Sequence, residues 1–415
     1  MLHTHIFLLA ILFFTTIFAT PIQIKQKRSF KVPRIQQHNY KPNGRAAYRK
    51  ALFKFGFGDI EFLPDGEVAT RIKAATEAQL DETEDGETSA SPTQNDAQFL
   101  SPVTVGGQTL VMNFDSGSSD TWVFNTNLPA SDQQGHTIYD PTKSSTFQNT
   151  LQGSTFNISY GDGSSASGPV GVDEVDIGGA TVSAQAIGLP DNVAQSFVTD
   201  SASNGLVGLA FSQLNTIRPN PQKTFFDNVL PDLTLPVFTA QLKSGAVGSY
   251  EFGNIDTSAF TGQLATAPVD SSNGFWQVDS TSAAVQGQSV DISGGTAILD
   301  TGTSLMLVPD EMLTAYWGTV DGAQVSQDAG GIIFPCDAQL PDLQVAIGDH
   351  MATVEGDGMN FANVGADTQT GEEFCFGGLQ SNQGLPFAIY GDVFFKSQFV
   401  VFDGSAPSIS VAPHS

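Results

Sequence analysis

The 415-residue chain has few cysteines and few histidines, and it has no long hydrophobic run beyond its first 20 residues. Neither a GxSxG nor an HExxH motif occurs, which argues against a serine-hydrolase elbow and a zinc-protease helix. Only His136, His350 and His414 lie beyond residue 90, and His136 sits in a polar loop where we expect it to be solvated. No later stretch approaches the ~18 apolar residues of a membrane span, so we expect no membrane association.

Positive charge is scarce outside one early segment. Residues 21–58 contain ten Lys or Arg and no Asp or Glu, whereas from residue 91 onward there are 33 acidic and five basic residues, a formal charge of −28. A basic arm could bind nucleic acid, but the acidic remainder would repel phosphate. We therefore expect no nucleic-acid partner, and we predict that the basic segment lies on the acidic body as an inhibitory propeptide.

The first 20 residues are typical of an export signal. Residues 6–18 are mostly apolar but too few to span a membrane, and the small residues Ala19 and Thr20 follow. A signal peptide over residues 1–20 implies a secreted, extracellular protein. In an exported chain the two cysteines, Cys336 and Cys375, most simply form one disulfide, the alternative being two free buried thiols.

Glycine and proline are abundant, with 42 and 21 residues, and helical patterns are few, which favours an all-β chain rich in turns. The length exceeds that of a usual single domain, so we expect two lobes. Residues 102–105 and 109–114 are predicted to form one hairpin, and residues 156–166 another. Short helices are predicted at 224–229 and 310–317.

One short motif occurs twice. LVMNFDSGSS at 110–119 and GTAILDTGTS at 295–304 each place an aspartate, Asp115 or Asp300, directly after an apolar run. Burying a lone carboxylate is costly, so a single copy reads most simply as a turn with a solvated aspartate. Two copies instead suggest matched halves that bring both carboxylates to one pseudo-twofold axis. Like charges that close cannot both ionise cheaply, and one shared proton would provide an acid and a base.

Five sequence blocks, in order, resemble the pepsin-like aspartic endopeptidases of the secreted fungal type. The blocks are NFDSGSSDTWVF at 113–124, YGDGSSASG at 160–168, NGLVGLAF at 204–211, AILDTGTSLMLVP at 297–309 and IYGDVFFKSQFVVFD at 389–403. The resemblance implies an all-β, bilobal pepsin-like fold, in which two pseudo-twofold-related β lobes enclose the active-site cleft.

The resemblance also implies an order of domains after the signal peptide. Residues 21–90 would form the basic propeptide and an acidic linker, residues 91–262 the N-terminal catalytic lobe with its flap, and residues 263–415 the C-terminal catalytic lobe. The last strands, residues 398–411, are expected to return to a sheet shared by both lobes. The cysteine pair matches the C-terminal-lobe disulfide of the fungal relatives.

By the same resemblance, Asp115 and Asp300 form the catalytic dyad, and the three residues after each aspartate support it. The first of the three is expected to hydrogen-bond across the axis, the second to bring a backbone N–H close to negative charge, and the third to donate to the outer carboxylate oxygen. These supporting residues are Ser116, Gly117, Ser118, Thr301, Gly302 and Thr303.

A second group of residues resembles the flap, a hairpin that closes over bound peptide. The flap sequence begins Tyr160, Gly161, Asp162, and the Trp122 indole N–H is expected to hydrogen-bond the Tyr160 hydroxyl. Asp162, assisted by Ser164, could favour a substrate Lys, and the alternative is an aspartate that only satisfies the turn. Alternatively, Tyr160 is an ordinary aromatic residue of a strand and Trp122 an ordinary core residue.

Three further residues lead to expectations. Lys54, in a KFG sequence that resembles the end of the family's propeptide, is a candidate for direct contact with the dyad, the alternative being an exposed lysine. Asn157 begins the sequon NIS on the presumed flap strand and is a candidate glycosylation site. Tyr390 replaces the usual aliphatic residue beside the second aspartate loop, and its hydroxyl is expected to need a partner.

These observations predict a zymogen of an acid endopeptidase that prefers large hydrophobic residues around the scissile bond. We expect peptide and protein substrates, the chain's own propeptide as a partner, no metal or organic cofactor, and a monomer. A glycosidase could also use two carboxylates, but it does not require twin Gly-flanked loops. A non-catalytic pepsin-like binding protein is the stronger alternative, although such a protein would be expected to lose an aspartate or the flap tyrosine.

Overall fold

The computed structural model describes residues 28–33, 42–55, 100–160, 164–244 and 248–415, with Phe53 described for its backbone only. Strands dominate the described residues, and the helices among them are short. No helix in these ranges is both long and apolar enough to cross a membrane.

The first twelve strands run from the basic segment to the middle of the chain. They are β1 (Phe30–Pro33), β2 (Leu100–Val105), β3 (Gln108–Asp115), β4 (Thr121–Val123), β5 (Thr155–Ser159), β6 (Ser165–Ile177), β7 (Ala180–Gly188), β8 (Asn192–Val193), β9 (Gly205–Gly208), β10 (Val237–Gln241), β11 (Ser249–Phe252) and β12 (Ala265–Pro268).

Fifteen further strands among the described residues complete the chain. They are β13 (Gln277–Asp279), β14 (Ser282–Val285), β15 (Gln288–Asp291), β16 (Thr296–Leu299), β17 (Met306–Val308), β18 (Gln324–Ser326), β19 (Gly331–Pro335), β20 (Leu343–Ile347), β21 (His350–Val354), β22 (Asn360–Ala366), β23 (Glu373–Gly377), β24 (Leu379–Ser381), β25 (Ala388–Tyr390), β26 (Gln398–Asp403) and β27 (Ser408–Pro413). The α-helices are α1 (Gly44–Lys54), α2 (Gln195–Thr199), α3 (Phe225–Val229), α4 (Asp310–Trp317) and α5 (Asp392–Phe395).

Each half of the chain has its own sheets, and one sheet combines the two. The first half forms an eight-stranded sheet with the order β2-β3-β9-β4-β7-β6-β5 and with β8 paired to β6. The second half forms sheets β13-β16-β25-β17-β24, β15-β14-β20-β21 and β18-β19-β23-β22. A six-stranded sheet with the order β1-β11-β10-β26-β27-β12 joins early, middle and final strands of the chain. The last strands therefore do return to a shared sheet.

The local predictions largely match the observed elements. The first predicted hairpin is β2 and β3, and the second is β5 and β6. Helix α3 begins one residue after the prediction because Thr224 is its N-cap and accepts a hydrogen bond from the Asp227 N–H. Helix α4 has the predicted bounds.

The two aspartate motifs occupy equivalent places in their sheets. Asp115 ends β3, which pairs in parallel with β9, and Asp300 directly follows β16, which pairs in parallel with β25. In each pair the neighbouring strand leads into a glycine, Gly208 or Gly391, where a Cβ would collide with the backbone of the aspartate loop. The repeated sequence therefore corresponds to a repeated strand-pair geometry.

Helix α1 packs on the second half of the chain. Tyr48, Ala51 and Leu52 follow the i, i+3, i+4 spacing of one helix face, and each is 1% exposed. They join a cluster that includes Ile298 and Ile389, which belong to β16 and β25. This packing directs the end of α1, Lys54, toward the ends of those two strands.

Candidate active site

Asp115 and Asp300 come together in a buried site. Both residues are 1% exposed or less. A Cβ at Gly117 would lie 2.5 Å from Asp300 Oδ1 and 2.7 Å from Lys54 Nζ, so only glycine leaves room for the opposite carboxylate. The two aspartate loops therefore approach each other so closely that each carboxylate lies against the glycine of the other loop.

A reciprocal set of hydrogen bonds ties the loops to each other. The Ser116 hydroxyl donates to the Leu299 carbonyl at 2.8 Å and accepts from the Thr301 N–H at 2.9 Å. The Thr301 hydroxyl donates to the Phe114 carbonyl at 2.7 Å and accepts from the Ser116 N–H at 3.0 Å. All four bonds are buried, so they restrict how the two aspartate loops can move relative to each other.

Each carboxylate is also held within its own loop. The Gly117 N–H donates to Asp115 Oδ1 at 2.9 Å, and the Ser118 hydroxyl donates to Asp115 Oδ2 at 2.6 Å. In the second loop the Gly302 N–H donates to Asp300 Oδ1 at 2.9 Å, and the Thr303 hydroxyl donates to Asp300 Oδ2. These bonds fix the planes of both carboxylates.

Lys54 occupies the space between the carboxylates. Its Nζ lies 2.6 Å from Asp115 Oδ1, 2.9 Å from Asp300 Oδ1 and 2.8 Å from Asp300 Oδ2, and its side chain is 4% exposed. The alternative reading of an exposed lysine is therefore wrong. While Lys54 is bound, a water molecule could not occupy the position of this ammonium group.

The electrostatic environment gives the two carboxyl groups different pKa values. Burial raises the pKa of Asp115, but the charge and hydrogen bonds of Lys54 outweigh burial, so this pKa lies below its ordinary value. Burial raises the pKa of Asp300 as well; the charge of Lys54 lowers it, but burial and the charge of Asp115 together outweigh Lys54 and leave this pKa above its ordinary value. The first proton taken up as the pH falls therefore belongs to the pair, with Asp300 as its favoured site.

The Lys54 ammonium group is held in its charged form. Burial lowers the pKa of Lys54, but the two carboxylates raise it by more, and the net pKa lies above its ordinary value. The ion pair with Asp115 and Asp300 is thus the condition under which this buried lysine remains charged.

The flap base lies beside the first loop. The Trp122 indole N–H donates to the Tyr160 hydroxyl at 2.9 Å, and both side chains are buried. The Tyr160 N–H donates to the Ser164 carbonyl at 2.7 Å, and Ser164 is 1% exposed. Gly161 and Asp162 lie outside the described residues, so the position of the Asp162 carboxylate relative to substrate stays a prediction.

Three peripheral expectations concern Tyr390, the cysteines and Asn157. The Tyr390 hydroxyl does have a partner, Ser280 Oγ at 2.6 Å, while the Tyr390 carbonyl accepts from the Asp300 N–H at 3.0 Å. Cys336 and Cys375 form a disulfide that joins residues 39 positions apart. Asn157 is exposed on strand β5, so its side chain is accessible to solvent.

Sequence reasoning missed an aromatic site next to the dyad. Phe55, which follows Lys54, packs edge-on against Phe275 at 5.6 Å and Phe387 at 5.7 Å between ring centroids. No local pattern marks Phe275 and Phe387 as partners, because they are more than 100 residues apart in sequence. Their shared position could have been found only from the fold.

The expectation for His136 was wrong, and the aspartate Asp120 was overlooked. The His136 ring stacks on Phe124, with 3.7 Å between ring centroids, instead of projecting into solvent. Asp120 is 1% exposed, and burial raises its pKa to about 6. Within the described ranges, no group of three or more His, Cys, Asp or Glu side chains is placed to hold a metal ion.

Comparisons with known proteins point to one family. A family model described as eukaryotic aspartyl protease matches residues 98–414. Aspartic protease PEP3 of Coccidioides posadasii is 51% identical over 409 residues, covering 95% of this chain and 91% of the relative. A putative aspergillopepsin A-like aspartic endopeptidase of Aspergillus fumigatus is 51% identical over 98% of both chains. Penicillopepsin-2 of Penicillium janthinellum is 43% identical over 89% of this chain and 87% of its own length.

Proposed function

The chain belongs to the eukaryotic aspartyl protease family as a pepsin-like aspartic endopeptidase of the fungal type, and on that premise we propose that it is a secreted zymogen activated at acid pH. Once active, it hydrolyses internal peptide bonds beside large hydrophobic side chains. The observation that carries this proposal is the single cation, Lys54 Nζ, bonded to both carboxylates of the dyad.

The proposed chemistry uses one water molecule and both carboxyl groups. With Lys54 removed, a water held between Asp115 and Asp300 attacks the scissile carbonyl carbon. One carboxyl group, ionised, takes a proton from the water, and the other, protonated, donates to the carbonyl oxygen; while Lys54 is bound, Asp115 is the ionised member and Asp300 the protonated one. The resulting diol collapses when the amide nitrogen is protonated, and no covalent acyl-enzyme forms.

This assignment of acid and base refers to the state with Lys54 bound. Because Lys54 contributes to the low pKa of Asp115, its departure weakens the asymmetry between the two carboxyl groups. One proton then belongs to the pair, and either carboxyl group can carry it during the reaction cycle.

Acid activation follows from the sign of the Asp115 shift. Lys54 lowers the pKa of Asp115, so the Lys54 contact stabilises the closed zymogen at pH values above the ordinary carboxyl pKa. That stabilisation is lost as the pH falls and Asp115 takes up a proton. Lys31 and Asp256 add a second, more exposed ion pair, 3.1 Å long, which responds to acid in the same direction.

Substrate preference is proposed from the position of Phe55. In the zymogen this ring is inserted between Phe275 and Phe387, next to the residue that blocks the dyad. A substrate side chain at this place would gain most from being large and aromatic or aliphatic, because it would bury the same apolar surface. Acceptance of Lys through Asp162 remains part of the proposal, since residues 161–163 lie outside the described ranges.

Export and glycosylation complete the proposed function. The signal peptide is proposed from residues 1–20, which lie outside the described residues. The disulfide suits an oxidising compartment, and the exposed Asn157 of the NIS sequon could carry a glycan there.

Peptide hydrolysis by the purified full-length chain tests the proposal. The assay is run at acid pH with and without a transition-state-analogue inhibitor of aspartic proteases. Inhibitor-sensitive cleavage beside large hydrophobic residues is the expected result. Inhibitor binding without cleavage would instead favour the non-catalytic pepsin-like binding protein.

Latency is tested with a matched pair of lysine variants. Lys54→Ala should bind the inhibitor near neutral pH, where the wild-type precursor does not, because the dyad has lost its blocking cation. Lys50→Ala removes the same charge from the same helix but not from the dyad, so it should remain latent. Equal latency of the two variants would contradict the role given to Lys54.

A further inference from the structure

His136 lies in an arrangement that distinguishes its two protonation states. Its Nδ1 is 2.9 Å from the Ser203 carbonyl oxygen, and its Nε2 is 3.1 Å from the Val198 carbonyl oxygen. The ring is also stacked on Phe124, with an interplanar angle of 9°. Both ring nitrogens thus face the segment that runs from α2 to β9.

The chemistry of these partners requires two donors on the ring. A backbone carbonyl oxygen can only accept a hydrogen bond, and a neutral imidazole has one N–H. The neutral ring would therefore direct a nitrogen lone pair at one of the carbonyl oxygens. The imidazolium form satisfies Val198 and Ser203 together, and its charge is favourably placed over the Phe124 ring.

The segment held by His136 reaches the flap. Phe197, next to Val198 in α2, packs edge-on against Tyr160 at 5.4 Å and against Trp122 at 5.0 Å between ring centroids. Tyr160 and Trp122 are themselves joined by a hydrogen bond. Val198 is thus the neighbour in the chain of Phe197, whose side chain packs on the flap tyrosine.

We propose that His136 is a positioning residue that, as an imidazolium, holds α2 and Phe197 against the base of the flap and releases them when it loses a proton. Phe197 would be held against Tyr160 at acid pH and more loosely at neutral pH. The proposal rests on the proposed peptidase function only for its effect on substrate, and the positioning itself is independent of activity.

Few titratable or charged side chains occur in the stretches around the ring. His136 belongs to the stretch 121–139, and it faces residues 192–205, which in turn contact the flap strand 155–160. The acidic residues of these three stretches are Asp132 and Asp200, the other titratable side chains are Tyr139 and Tyr160, and no Lys or Arg occurs in them. Arg218, whose backbone pairs with Thr155 at the start of the flap strand, is the cation that adjoins these stretches.

Two variants separate the parts of the proposal. His136→Phe keeps a ring for stacking on Phe124 but removes both donors. His136→Arg supplies a planar cation with several donors whose charge does not change between pH 4 and pH 7. Both are placed in a full-length chain that also carries Asp115→Asn, so that acid does not cause self-cleavage.

Amide hydrogen exchange of residues 195–205, corrected for intrinsic rates, is the direct measurement. With His136 present, protection should fall by about 2- to 10-fold from pH 4 to pH 7, the factor expected from one hydrogen bond. His136→Arg should keep protection at both pH values, and His136→Phe should lack it at both. Equal protection at the two pH values with His136, or full protection in His136→Phe at pH 4, would overturn the proposal.

Activity of the same substitutions with an intact dyad then tests the link to the flap. His136→Phe should raise KM for a long peptide by about 2- to 10-fold at pH 4, with a smaller change in kcat, and His136→Arg should restore KM. An unchanged KM in His136→Phe would overturn the proposed link. Absence of hydrolysis by the wild-type chain would overturn the proposed peptidase function instead, and the exchange result would still decide the role of His136.

Discussion

The two aspartate loops have nearly the same hydrogen bonds but opposite electrostatic outcomes. In both, a glycine N–H and a hydroxyl fix the carboxylate, and a Ser or Thr crosses to the other loop. Nevertheless the pKa of Asp115 is lowered and that of Asp300 is raised. The internal repeat thus provides the geometry, and the interaction of the two carboxyl groups with each other and with Lys54 makes Asp300 the more readily protonated one.

The loops also differ in the residues that surround them. Five positions after each aspartate, the first loop has the buried acid Asp120 and the second has the buried Leu305. In the supporting strands, Val207 of β9 corresponds to Tyr390 of β25. In a pseudo-symmetric fold, a polar side chain can therefore replace an apolar one in a single half when that half provides hydrogen-bond partners for it.

The largest expected effect comes from removing either carboxylate charge. Asp115→Asn and Asp300→Asn should each reduce kcat by at least about 1,000-fold, because acid and base act as one unit. Turnover is measured at acid pH, and unfolding by denaturant verifies that each variant is folded. A folded variant with a tenth of wild-type turnover would show that one loop suffices.

The hydrogen bonds made by the Ser116 hydroxyl and those made by the Thr301 hydroxyl should stabilise the fold about equally. Ser116→Ala and Thr301→Val each remove two of the four buried bonds and should each lower the free energy of unfolding by about 2 to 4 kcal/mol. Thr301→Ser keeps the hydroxyl and is the matched control. Denaturant unfolding that shows a large cost in only one loop would break the symmetry inferred here.

Asp120 should make stability depend on pH in a way that Leu305 cannot. Burial raises the pKa of Asp120 to about 6, despite hydrogen bonds from Thr216. A raised carboxyl pKa stabilises the fold at low pH, and this contribution is lost as the pH rises through about 6. Between pH 4 and pH 7, Asp120→Asn should therefore gain about 2 to 3 kcal/mol relative to the parent chain.

The Asp120 comparison is made in an Asp300→Asn parent, which prevents self-cleavage at pH 4. Unfolding free energies of parent and variant are measured by denaturant at several pH values. A difference between parent and Asp120→Asn that is constant from pH 4 to pH 7 would show that Asp120 does not titrate in this range.

The smallest expected effect is that of the Tyr390 hydroxyl. Tyr390→Phe breaks the bond to Ser280 and should cost about 1 kcal/mol of unfolding free energy, while the backbone bond to Asp300 and the activity are retained. Ser280→Ala should cost a similar amount. The double variant should cost less than the sum of the two, and strict additivity would mean that the hydrogen bond contributes nothing.

Much of this architecture could be predicted from the sequence because its signals are local. Alternating apolar residues and turn glycines specify β2, β3, β5 and β6, and the duplicated Asp motif identifies both loops of the site. The requirement of Tyr390 for a partner was also predictable, because a buried hydroxyl needs a hydrogen bond.

The remainder depends on contacts that are distant in sequence. His136 occurs in a polar stretch, but it stacks on Phe124 and bonds to carbonyl groups more than 60 residues away. Phe55 likewise meets Phe275 and Phe387 only after α1 has packed on the second half of the chain. Composition and periodicity contain no information about these pairings.

Strand β1 links the proposed maturation to a risk of aggregation. It forms one edge of the six-stranded sheet, where Phe30 pairs with Phe252 and Val32 with Tyr250. Loss of the basic segment would uncover the edge of β11, and an uncovered edge can pair with another copy of the chain. Acid simultaneously neutralises carboxylates whose mutual repulsion keeps the molecules apart at neutral pH. Aggregation during activation should therefore increase with protein concentration, and light scattering across a dilution series can measure it.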